Sequence, residues 1–307
     1  MWKKSTAKPR KSKKNATFAA EERIKTKNEM LKNLILMASL LVVVGADGMV
    51  GSENASIDDR QKEDDYVLVF SDEFNQPDGS QPNSTYWSCP PRSNDGWNRW
   101  VANTPAVTFI KGGALVCRAI PNRSIPTDTA QMLTGAVFTK DRFEFRYGKV
   151  EVRMKTNLRV GNFPAAWLRT WATAKQPLYS EIDIVEMFGN KRESNHTAHS
   201  ELTVHKRGHG LKNHFGVRCD VTKWHVYGVE WTENMLIWTI DGKKVGEYRK
   251  ADDAKLLAEG QWSFDYPLFI VLNQSVGTGG YDFFMPQTNK IYETRFDWVR
   301  VYQKKVK

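Results

Sequence analysis

Hydrophobic and polar positions alternate in short runs from Tyr66 onward, and turn residues separate the runs. Alternation at a period of two is typical of a half-buried β-strand. Long runs with helical spacing are absent, and the single helical candidate is the short segment 251–258. The strand-like runs are 66–70, 114–118, 147–155, 181–186, 225–230, 236–240 and 296–302. This spacing predicts an all-β fold built as an antiparallel sandwich.

One connection between these runs is specified by its own residues. Asp241-Gly242 separates the apolar run 236–240 from the run that starts at Lys243. Asp-Gly favours the two-residue turn of a β-hairpin. We therefore predict a hairpin at this point.

The fourth run carries three acidic residues among β-branched ones. Glu181 and Asp183 share one face of a regular strand, whereas Glu186 would point into the opposite, apolar face, where an unpaired charge is costly. A β-bulge at Ile184 and Val185 would return Glu186 to the face of the other two acids. A helix would instead place Glu181 and Glu186 roughly 140° apart. We therefore predict a bulged strand.

Three carboxylates on one strand face repel each other, so the pKa of at least one of them should be raised. Acid–base catalysis uses carboxyl groups that titrate at different pH values. A solvated acidic face or a cation site is the alternative interpretation of the same residues.

The N-terminal part of the chain resembles a targeting segment. The apolar run 34–44 is too short to span a bilayer comfortably but has the length of a signal-peptide core. We interpret residues 30–46 as a signal peptide, residues 1–29 as an upstream extension with a disordered basic tail, and residues 47–64 as a linker. Whether Met1 or Met30 is the true start is left open. The protein is expected to be exported to the periplasm, the cell surface or the medium, with no stable membrane span.

The net charge of +10 is concentrated at the N-terminus. Residues 1–33 hold 11 Lys and Arg against 3 acidic residues, and the remaining 274 residues hold 34 basic against 32 acidic residues. A nearly balanced body argues against a nucleic-acid partner, so any role of basic residues there is local.

Cysteines and histidines give no sign of a metal centre. Cys89, Cys117 and Cys219 match neither a metal-ligand spacing nor a disulfide framework, so at most one bridge can form and its pair is left open. Four of the six histidines lie between His196 and His209 and are interpreted as surface or loop residues. We predict no cofactor and leave a structural Ca²⁺ open.

Eleven tryptophans are many for a chain of this length. Core packing is favoured for four that we place in apolar strands, namely Trp224, Trp231, Trp238 and Trp298. Trp97 and Trp100 lie instead in a loop with Asn and Arg, and Trp167 and Trp171 form a second cluster. Flat aromatic faces beside hydrogen-bonding side chains suit sugar rings.

These features converge on one family. Ser180-Glu-Ile-Asp-Ile-Val-Glu186 resembles the catalytic signature of glycoside hydrolase family 16 in its bulged form. The resemblance extends over roughly residues 66–303. It includes Ser71-Asp-Glu-Phe-Asn75, Phe145-Arg-Tyr-Gly-Lys-Val-Glu-Val-Arg-Met-Lys155, Phe163-Pro-Ala-Ala-Trp167, Val229-Glu-Trp231, Asn273-Gln-Ser-Val-Gly277 and Phe296-Asp-Trp-Val-Arg-Val-Tyr302.

The resemblance implies a jelly-roll β-sandwich of two curved antiparallel sheets, with a substrate cleft across the concave face of a domain spanning residues 65–305. It also implies a retaining mechanism with Glu181 as nucleophile, Glu186 as general acid/base and Asp183 as the residue that holds and tunes the nucleophile. Retention requires two carboxyl groups about 5 to 5.5 Å apart.

Within the family, Tyr179-Ser-Glu-Ile-Asp183 is most similar to the hydrolases of red-algal galactans. The implied activity is endo-acting cleavage of β-1,4 linkages, with sulfated porphyran as the favoured substrate. Porphyranases pair tryptophan with arginine to receive a sulfate ester, and arginine suits an oxyanion because its planar fork can form two hydrogen bonds to it. The expected substrate-binding residues are Trp97, Arg99, Trp100, Trp167, Arg169, His205 and Asn273.

Three alternatives stay open. A β-agarase acting on neutral agarose and a laminarinase or β-1,3(4)-glucanase would share the catalytic acids and differ in specificity. A non-catalytic glycan-binding sandwich is a remote alternative, because a pure binding protein has no need of a protonated acid beside a nucleophile. In each case the expected partner is a polysaccharide and the expected state is a monomer.

Overall fold

Strands dominate the part of the chain that the structure describes. The computed structural model describes residues 65–305 except residues 124–127, 172, 174, 207–209 and 278–285. The predicted extension, signal peptide and linker lie outside the described residues. No helix in the described ranges is long and apolar enough to cross a membrane.

The described elements are fifteen strands and two short helices. They are β1 Tyr66–Asp72, β2 Thr108–Ile110, β3 Leu115–Pro121, β4 Met132–Phe138, β5 Glu144–Phe145, β6 Gly148–Thr156, β7 Asn162–Arg169, β8 Ser180–Glu186, β9 Glu193–Ser200, α1 Glu201–His205, β10 His214–Arg218, β11 His225–Trp231, β12 Met235–Ile240, β13 Lys243–Arg249, α2 Ala254–Ala258, β14 Leu268–Val276 and β15 Tyr292–Lys304. All seven runs predicted from alternation lie wholly or largely within strands, and the helical candidate 251–258 contains α2. The domain bounds 65–305 stay a prediction.

Two curved antiparallel sheets face each other in a jelly-roll sandwich, as predicted. One sheet has the order β10-β9-β8-β7-β14-β4, and the other has the order β3-β15-β6-β11-β12-β13. The pairing of β3 with β4 joins the two sheets. The central position of β8 and β7 in the first sheet places the acidic run in the middle of one face.

Two of the strands that alternation missed, β4 and β14, are covered on both faces. All nine residues of β14 and all seven of β4 are buried, so neither strand shows a polar face in its sequence. By contrast, β6 alternates buried and half-buried positions over its whole length. A strand covered on both faces has no period-two signal for sequence analysis to detect.

The predicted hairpin is present between β12 and β13. Ile240 pairs with Lys243, and the two turn residues Asp241 and Gly242 both have positive φ, at 50° and 77°. Two successive positive φ angles are the requirement of a type I′ turn, which Asp-Gly meets at low cost.

The hydrophobic core lies between the two sheets. Ile182, Ile184 and Val185 of β8 pack in the same buried cluster as Trp231 and Trp238 of the opposite sheet. The core prediction was therefore right for these two tryptophans.

The core prediction was wrong for the other two tryptophans. Trp224 and Trp298 are only half-buried, and each stacks against a cation. The guanidinium of Arg153 lies 5.0 Å from the ring centre of Trp224, and that of Arg300 lies 4.1 Å from that of Trp298. The β-strand pattern identifies Trp298 as part of a strand but does not say which face it occupies, because β15 is irregular between Phe296 and Trp298.

The three cysteines are all free in the structure. Burial raises the pKa of the Cys89 thiol to about 11 and also raises the pKa of the fully buried Cys117 thiol. Neither thiol is therefore a thiolate at neutral pH.

Candidate active site

The acidic strand β8 contains the predicted bulge. Toward β7, Asp183 pairs with Trp167 and Val185 pairs with Ala166, so Ile184 is the extra residue. Toward β9, Asp183 pairs with Thr197 and Glu186 with Asn195. Ile184 and Val185 thus face the single residue between those partners, and both side chains enter the core.

This bulge brings the three acids to one face. Glu181, Asp183 and Glu186 all line a cleft of about 270 Å³ on the first sheet. Asp183 is 2% exposed, whereas the two glutamates are partly exposed. The arrangement therefore places one buried carboxyl between two that can reach a ligand.

Glu181 is surrounded by three groups that favour its charged form. The Tyr179 hydroxyl donates a hydrogen bond of 2.7 Å to Glu181 Oε2. His199 Nε2 lies 3.9 Å from Glu181 Oε1 and 3.2 Å from Asp183 Oδ2. Arg169 and His199 are the direct strand partners of Glu181 on β7 and β9 respectively.

The two glutamates differ in acidity in the direction that retaining chemistry needs. Burial raises the pKa of Glu186 well above its usual range, and the charges of Asp183 and Glu181 and a hydrogen bond to Asp183 add to this effect. Burial and the charge of Asp183 also raise the pKa of Glu181, but His199, Arg169 and the Tyr179 hydrogen bond oppose the rise. Glu186 is therefore the acid that holds its proton, and Glu181 is the better candidate for a carboxylate.

His199 is a cation in this site at neutral pH. Burial lowers its pKa, but the 3.2 Å contact with the Asp183 carboxylate and the charges of Asp183 and Glu181 together raise it to about 9. The ligand atoms of Glu181, Asp183 and His199 lie within 4.8 Å of one another, as in a metal site. In the structure His199 pairs with Asp183 and lies near Glu181, so the cluster forms an ion-pair network.

Two backbone carbonyls of the bulge accept hydrogen bonds from buried side chains. Trp238 Nε1 on β12 donates to the Asp183 carbonyl at 2.8 Å. His196 Nδ1 on β9 lies 2.6 Å from the Ile184 carbonyl. The bulge is thus contacted from the opposite sheet and from the neighbouring strand.

Aromatic side chains form one wall of the cleft. Trp97 and Trp167 both line it, with ring centres 5.0 Å apart in an edge-to-face contact. Trp167 Nε1 donates to Asn273 Oδ1 at 2.8 Å, and Asn273 also lines the cleft. Phe163 adds a further ring and stacks on Phe188. These faces suit the apolar side of a sugar ring.

Arg169 is a buried cation inside the cleft. Its side chain lines the cleft although the residue is only 8% exposed. The guanidinium carbon lies 5.3 Å from the ring centres of Trp167 and Trp171 and 5.9 Å from that of Tyr179. Its buried Nε has no hydrogen-bond partner among the residues that the structure describes. Aromatic faces, not hydrogen bonds to Nε, hold this group.

Comparison with known proteins agrees with this geometry. The family model for glycosyl hydrolases family 16 matches residues 115–278. The chain belongs to glycosyl hydrolases family 16. The match includes β7, β8 and β14, which together carry most of the cleft.

Two characterised relatives of the family cover most of this chain. A keratan-sulfate endo-1,4-β-galactosidase from Sphingobacterium multivorum is 29% identical over 242 residues, which are 78% of this chain and 56% of that protein. A β-glucanase from Rhodothermus marinus is 27% identical over 281 residues, which are 87% of this chain and 93% of that protein. The chain thus spans about half of the first relative and nearly all of the second.

Solved structures of the family share the fold. A non-specific endo-β-1,3(4)-glucanase superposes with a TM-score of 0.67 at 26% identity and covers 78% of this chain and 92% of its own. The laminarinase catalytic domain of Thermotoga maritima has a TM-score of 0.65 at 25% identity and covers 79% of this chain and all of its own. Each superposition therefore includes nearly all of the known catalytic domain and more than three quarters of this chain.

The structure separates the candidate binding residues into two groups. Trp97, Trp167, Arg169 and Asn273 line the cleft with the three acids. The other candidates are not among the lining residues. Arg99 donates to the Gly277 carbonyl at 2.8 Å and stacks on Trp100 at 4.4 Å, as a residue that supports its loop would do.

His205 also lies away from the cleft. It ends α1, its side chain is 60% exposed, and its Nδ1 lies 2.9 Å from Glu201. Its ring centre is 6.3 Å from that of Tyr179, the residue whose hydroxyl bonds to Glu181.

Sequence reasoning missed the histidines that matter here. His196 is completely buried and His199 contacts two of the acids, so the surface-or-loop interpretation was wrong for both. The residues of β9 are mostly polar, so no sequence signal indicated that His196 and His199 lie in a strand. Without the pairing of β9 to β8, that pattern is indistinguishable from a polar loop.

Proposed function

We propose that the protein is an endo-acting, retaining β-glycosidase. The observation that carries this proposal is the bulged strand, which places Glu181, Asp183 and Glu186 on one face of a cleft and raises the pKa of Glu186 well above its usual range. Retaining hydrolysis needs one ionised and one protonated carboxyl on the two sides of the scissile bond.

In the first step the Glu181 carboxylate attacks the anomeric carbon, and a bond forms between them. The bond from that carbon to the glycosidic oxygen breaks, and Glu186 gives its proton to the departing oxygen. In the second step Glu186, now a carboxylate, takes a proton from water, and the water oxygen displaces Glu181. Both residues return to their starting states, and the anomeric configuration is kept.

The surrounding groups support these roles. The Tyr179 hydroxyl and the His199 imidazolium favour the charged form of Glu181, which attacks and later leaves. Asp183 contacts His199, which lies beside the nucleophile, and also raises the pKa of Glu186, the acid. It therefore influences both catalytic glutamates. A pure glycan-binding protein would gain nothing from this combination, because buried carboxyls with raised pKa values destabilise a fold at neutral pH.

We infer that the substrate is a sulfated β-1,4-linked galactan, with porphyran as the first candidate. The support is Arg169, a guanidinium inside the cleft whose Nε bonds to nothing in the described part of the chain. A sulfate ester supplies oxygens that the planar guanidinium can bind through two hydrogen bonds. The relative that acts on keratan sulfate, named as a 1,4-β-galactosidase, agrees with a galactan that carries sulfate.

A β-1,3(4)-glucanase is the second candidate. Its support is the likeness to the endo-β-1,3(4)-glucanase and laminarinase structures at 25–26% identity. On this alternative Arg169 serves only as the positive charge that lowers the pKa of Glu181. Neutral agarose is a further possible substrate, since it shares galactose with porphyran but carries no sulfate.

The cleft is built by a single chain, so the protein is expected to act as a monomer. A polymer substrate fits export through the predicted signal peptide at residues 30–46.

The test is reducing-end release from porphyran, keratan sulfate, agarose, laminarin and mixed-linkage β-glucan, with protein from residue 60 onward. Arg169→Met and Arg99→Met are compared with wild type, since both arginines stack on tryptophan and only Arg169 lines the cleft. The expected result is cleavage of a sulfated galactan, and a ratio of sulfated to neutral activity that falls in Arg169→Met and not in Arg99→Met.

Other outcomes separate the alternatives. Cleavage of glucan only would keep the mechanism and reject the galactan. Equal losses on sulfated and neutral polymers in Arg169→Met would reject the sulfate contact and leave the charge effect on Glu181. No cleavage of any polymer by wild type, with binding retained, would reject the enzyme.

A further inference from the structure

The β8 bulge is held by two side chains that the catalytic steps do not use. Trp238 Nε1 donates to the Asp183 carbonyl at 2.8 Å, and His196 Nδ1 lies 2.6 Å from the Ile184 carbonyl. Both side chains are completely buried. They come from different directions, one from β12 in the opposite sheet and one from β9 alongside.

The hydrogen positions on His196 follow from its partners. A carbonyl oxygen only accepts, so Nδ1 carries the hydrogen that it donates to Ile184. Burial lowers the pKa of His196 to about 4, so the ring is neutral and Nε2 accepts from the Ser194 hydroxyl at 3.1 Å. One tautomer is therefore fixed, and this ring can form the contact with the bulge in one orientation.

The contacted carbonyls belong to Asp183 and Ile184, where the register of β8 shifts and the side chains stop alternating between the two faces. A regular strand from Glu181 to Glu186 would turn Glu186 into the core, since a shift of one residue exchanges the faces of a strand. Bulges disrupt the ladder of backbone hydrogen bonds locally. Donors from outside the ladder at Asp183 and Ile184 therefore favour the bulged register over the regular one.

We propose that Trp238 and His196 are positioning residues that fix the bulge of β8 and thereby hold Asp183 against Glu186. We call this pair the bulge clamp. The inference rests on the proposed function, because it assigns the clamp to the acid of that reaction. Neither residue touches the cleft, so neither acts on substrate.

The position of Asp183 matters for Glu186 because Asp183 contributes both a charge and a hydrogen bond that keep the proton on Glu186. If the peptide group between Asp183 and Ile184 rotates, the Asp183 side chain moves relative to Glu186. Loss of the clamp should therefore lower the pKa of Glu186. The alkaline limb of the kcat profile, which reports deprotonation of the general acid, should move to lower pH.

Trp238→Phe removes the indole N–H and keeps an aromatic ring in the core. The matched control is Trp231→Phe, because Trp231 is also buried in the same cluster and its Nε1 also donates to a backbone carbonyl, that of Phe264, at 3.0 Å. We expect Trp238→Phe to lower kcat roughly tenfold to a hundredfold, as small misplacements of reacting groups do. Trp231→Phe should leave kcat and its alkaline limb unchanged.

His196 allows a rescue test. His196→Leu removes the donor, whereas His196→Asn places an amide N–H near the position of Nδ1. We expect the alkaline limb to shift in His196→Leu and to return toward the wild-type position in His196→Asn. KM should change little in either variant, since the clamp does not contact substrate.

A readout without substrate keeps the clamp and the proposed function distinguishable. The pKa of the Glu186 carboxyl is measured by ¹³C NMR in wild type, Trp238→Phe and Trp231→Phe, with Glu186→Gln to assign the signal and melting temperature to confirm folding. A lower Glu186 pKa in Trp238→Phe alone supports the clamp even if no tested polymer is cleaved. An unchanged pKa in Trp238→Phe, or equal shifts in both tryptophan variants, would overturn it.

Discussion

Replacing His199 with glutamine is expected to narrow the pH range of activity from its acidic side. His199 Nε2 lies 3.2 Å from Asp183 Oδ2 and 3.9 Å from Glu181 Oε1, and its pKa of about 9 makes it a cation at neutral pH. Glutamine keeps an N–H donor near the same place and removes the charge. The carboxylate form of Glu181 therefore loses the positive charge of the His199 imidazolium.

The size of the effect follows from the distance. Two unit charges 3.9 Å apart attract each other by about 4 kcal/mol at an effective dielectric constant of about 20. The His199 side chain is 28% exposed and that of Glu181 is 15% exposed, so water screens the pair and solvates the carboxylate once the cation is gone. If the net loss is about a third of this attraction, the pKa of Glu181 changes by about one unit.

The pKa of Glu181 should shift upward. Loss of a neighbouring cation disfavours the carboxylate, which raises the pKa of Glu181. Because Glu181 must be ionised to attack, the acidic limb of the kcat/KM profile should move about one pH unit higher. The assay is reducing-end release from the best substrate of wild type across the pH range, at fixed ionic strength.

His205→Gln is the matched control. His205 also contacts a glutamate, Glu201, at 2.9 Å, but it lies outside the cleft lining and is 60% exposed. Its replacement should leave the acidic limb in place. An acidic limb in His199→Gln that stays unchanged or moves to lower pH would refute the assignment of His199 as the cation that keeps Glu181 ionised.

Three further outcomes are expected. Glu181→Ala should abolish hydrolysis and retain oligosaccharide binding by calorimetry; activity near that of wild type would remove Glu181 as nucleophile. Glu186→Gln should raise the melting temperature at neutral pH, because the raised folded-state pKa of Glu186 means that folding must take up a proton above the unfolded value near 4.5, and this cost vanishes below that value. A gain of the same size in acid would contradict this explanation. Burial lowers the pKa of His196 to about 4, whereas the unfolded chain gains this proton near pH 6.5. Wild-type stability should therefore fall as the pH drops from about 6.5 toward about 4. His196→Asn should make melting temperature depend less on pH in this range.

Local sequence alone determined the acidic strand and its bulge. The order of acids and β-branched residues between Glu181 and Glu186 admits one arrangement that keeps all three carboxyls out of the core, and β8 adopts it. The Asp241-Gly242 hairpin is similarly local, because its backbone angles follow from the two turn residues. Side-chain parity and turn preference act over a few residues, so the sequence is enough to predict them.

Tertiary structure decided which residues complete the site. Arg169 and His199 become neighbours of Glu181 only because β7 and β9 pair with β8 in particular registers. Nothing near Arg99 or Arg169 in the sequence distinguishes them, since Arg99 is next to Trp100 and Arg169 lies two residues from a tryptophan on each side. The folded chain directs Arg169 into the cleft and bonds Arg99 to the Gly277 carbonyl.

The same limit applies to the buried donors. Trp238 reads as an ordinary core tryptophan, and His196 resembles a loop histidine. Their contacts with the Asp183 and Ile184 carbonyls join residues 55 and 12 positions apart in the chain. Hydrogen bonds of this kind depend on how two sheets stack and how strands align, and the alternation of polar and apolar positions carries information about neither.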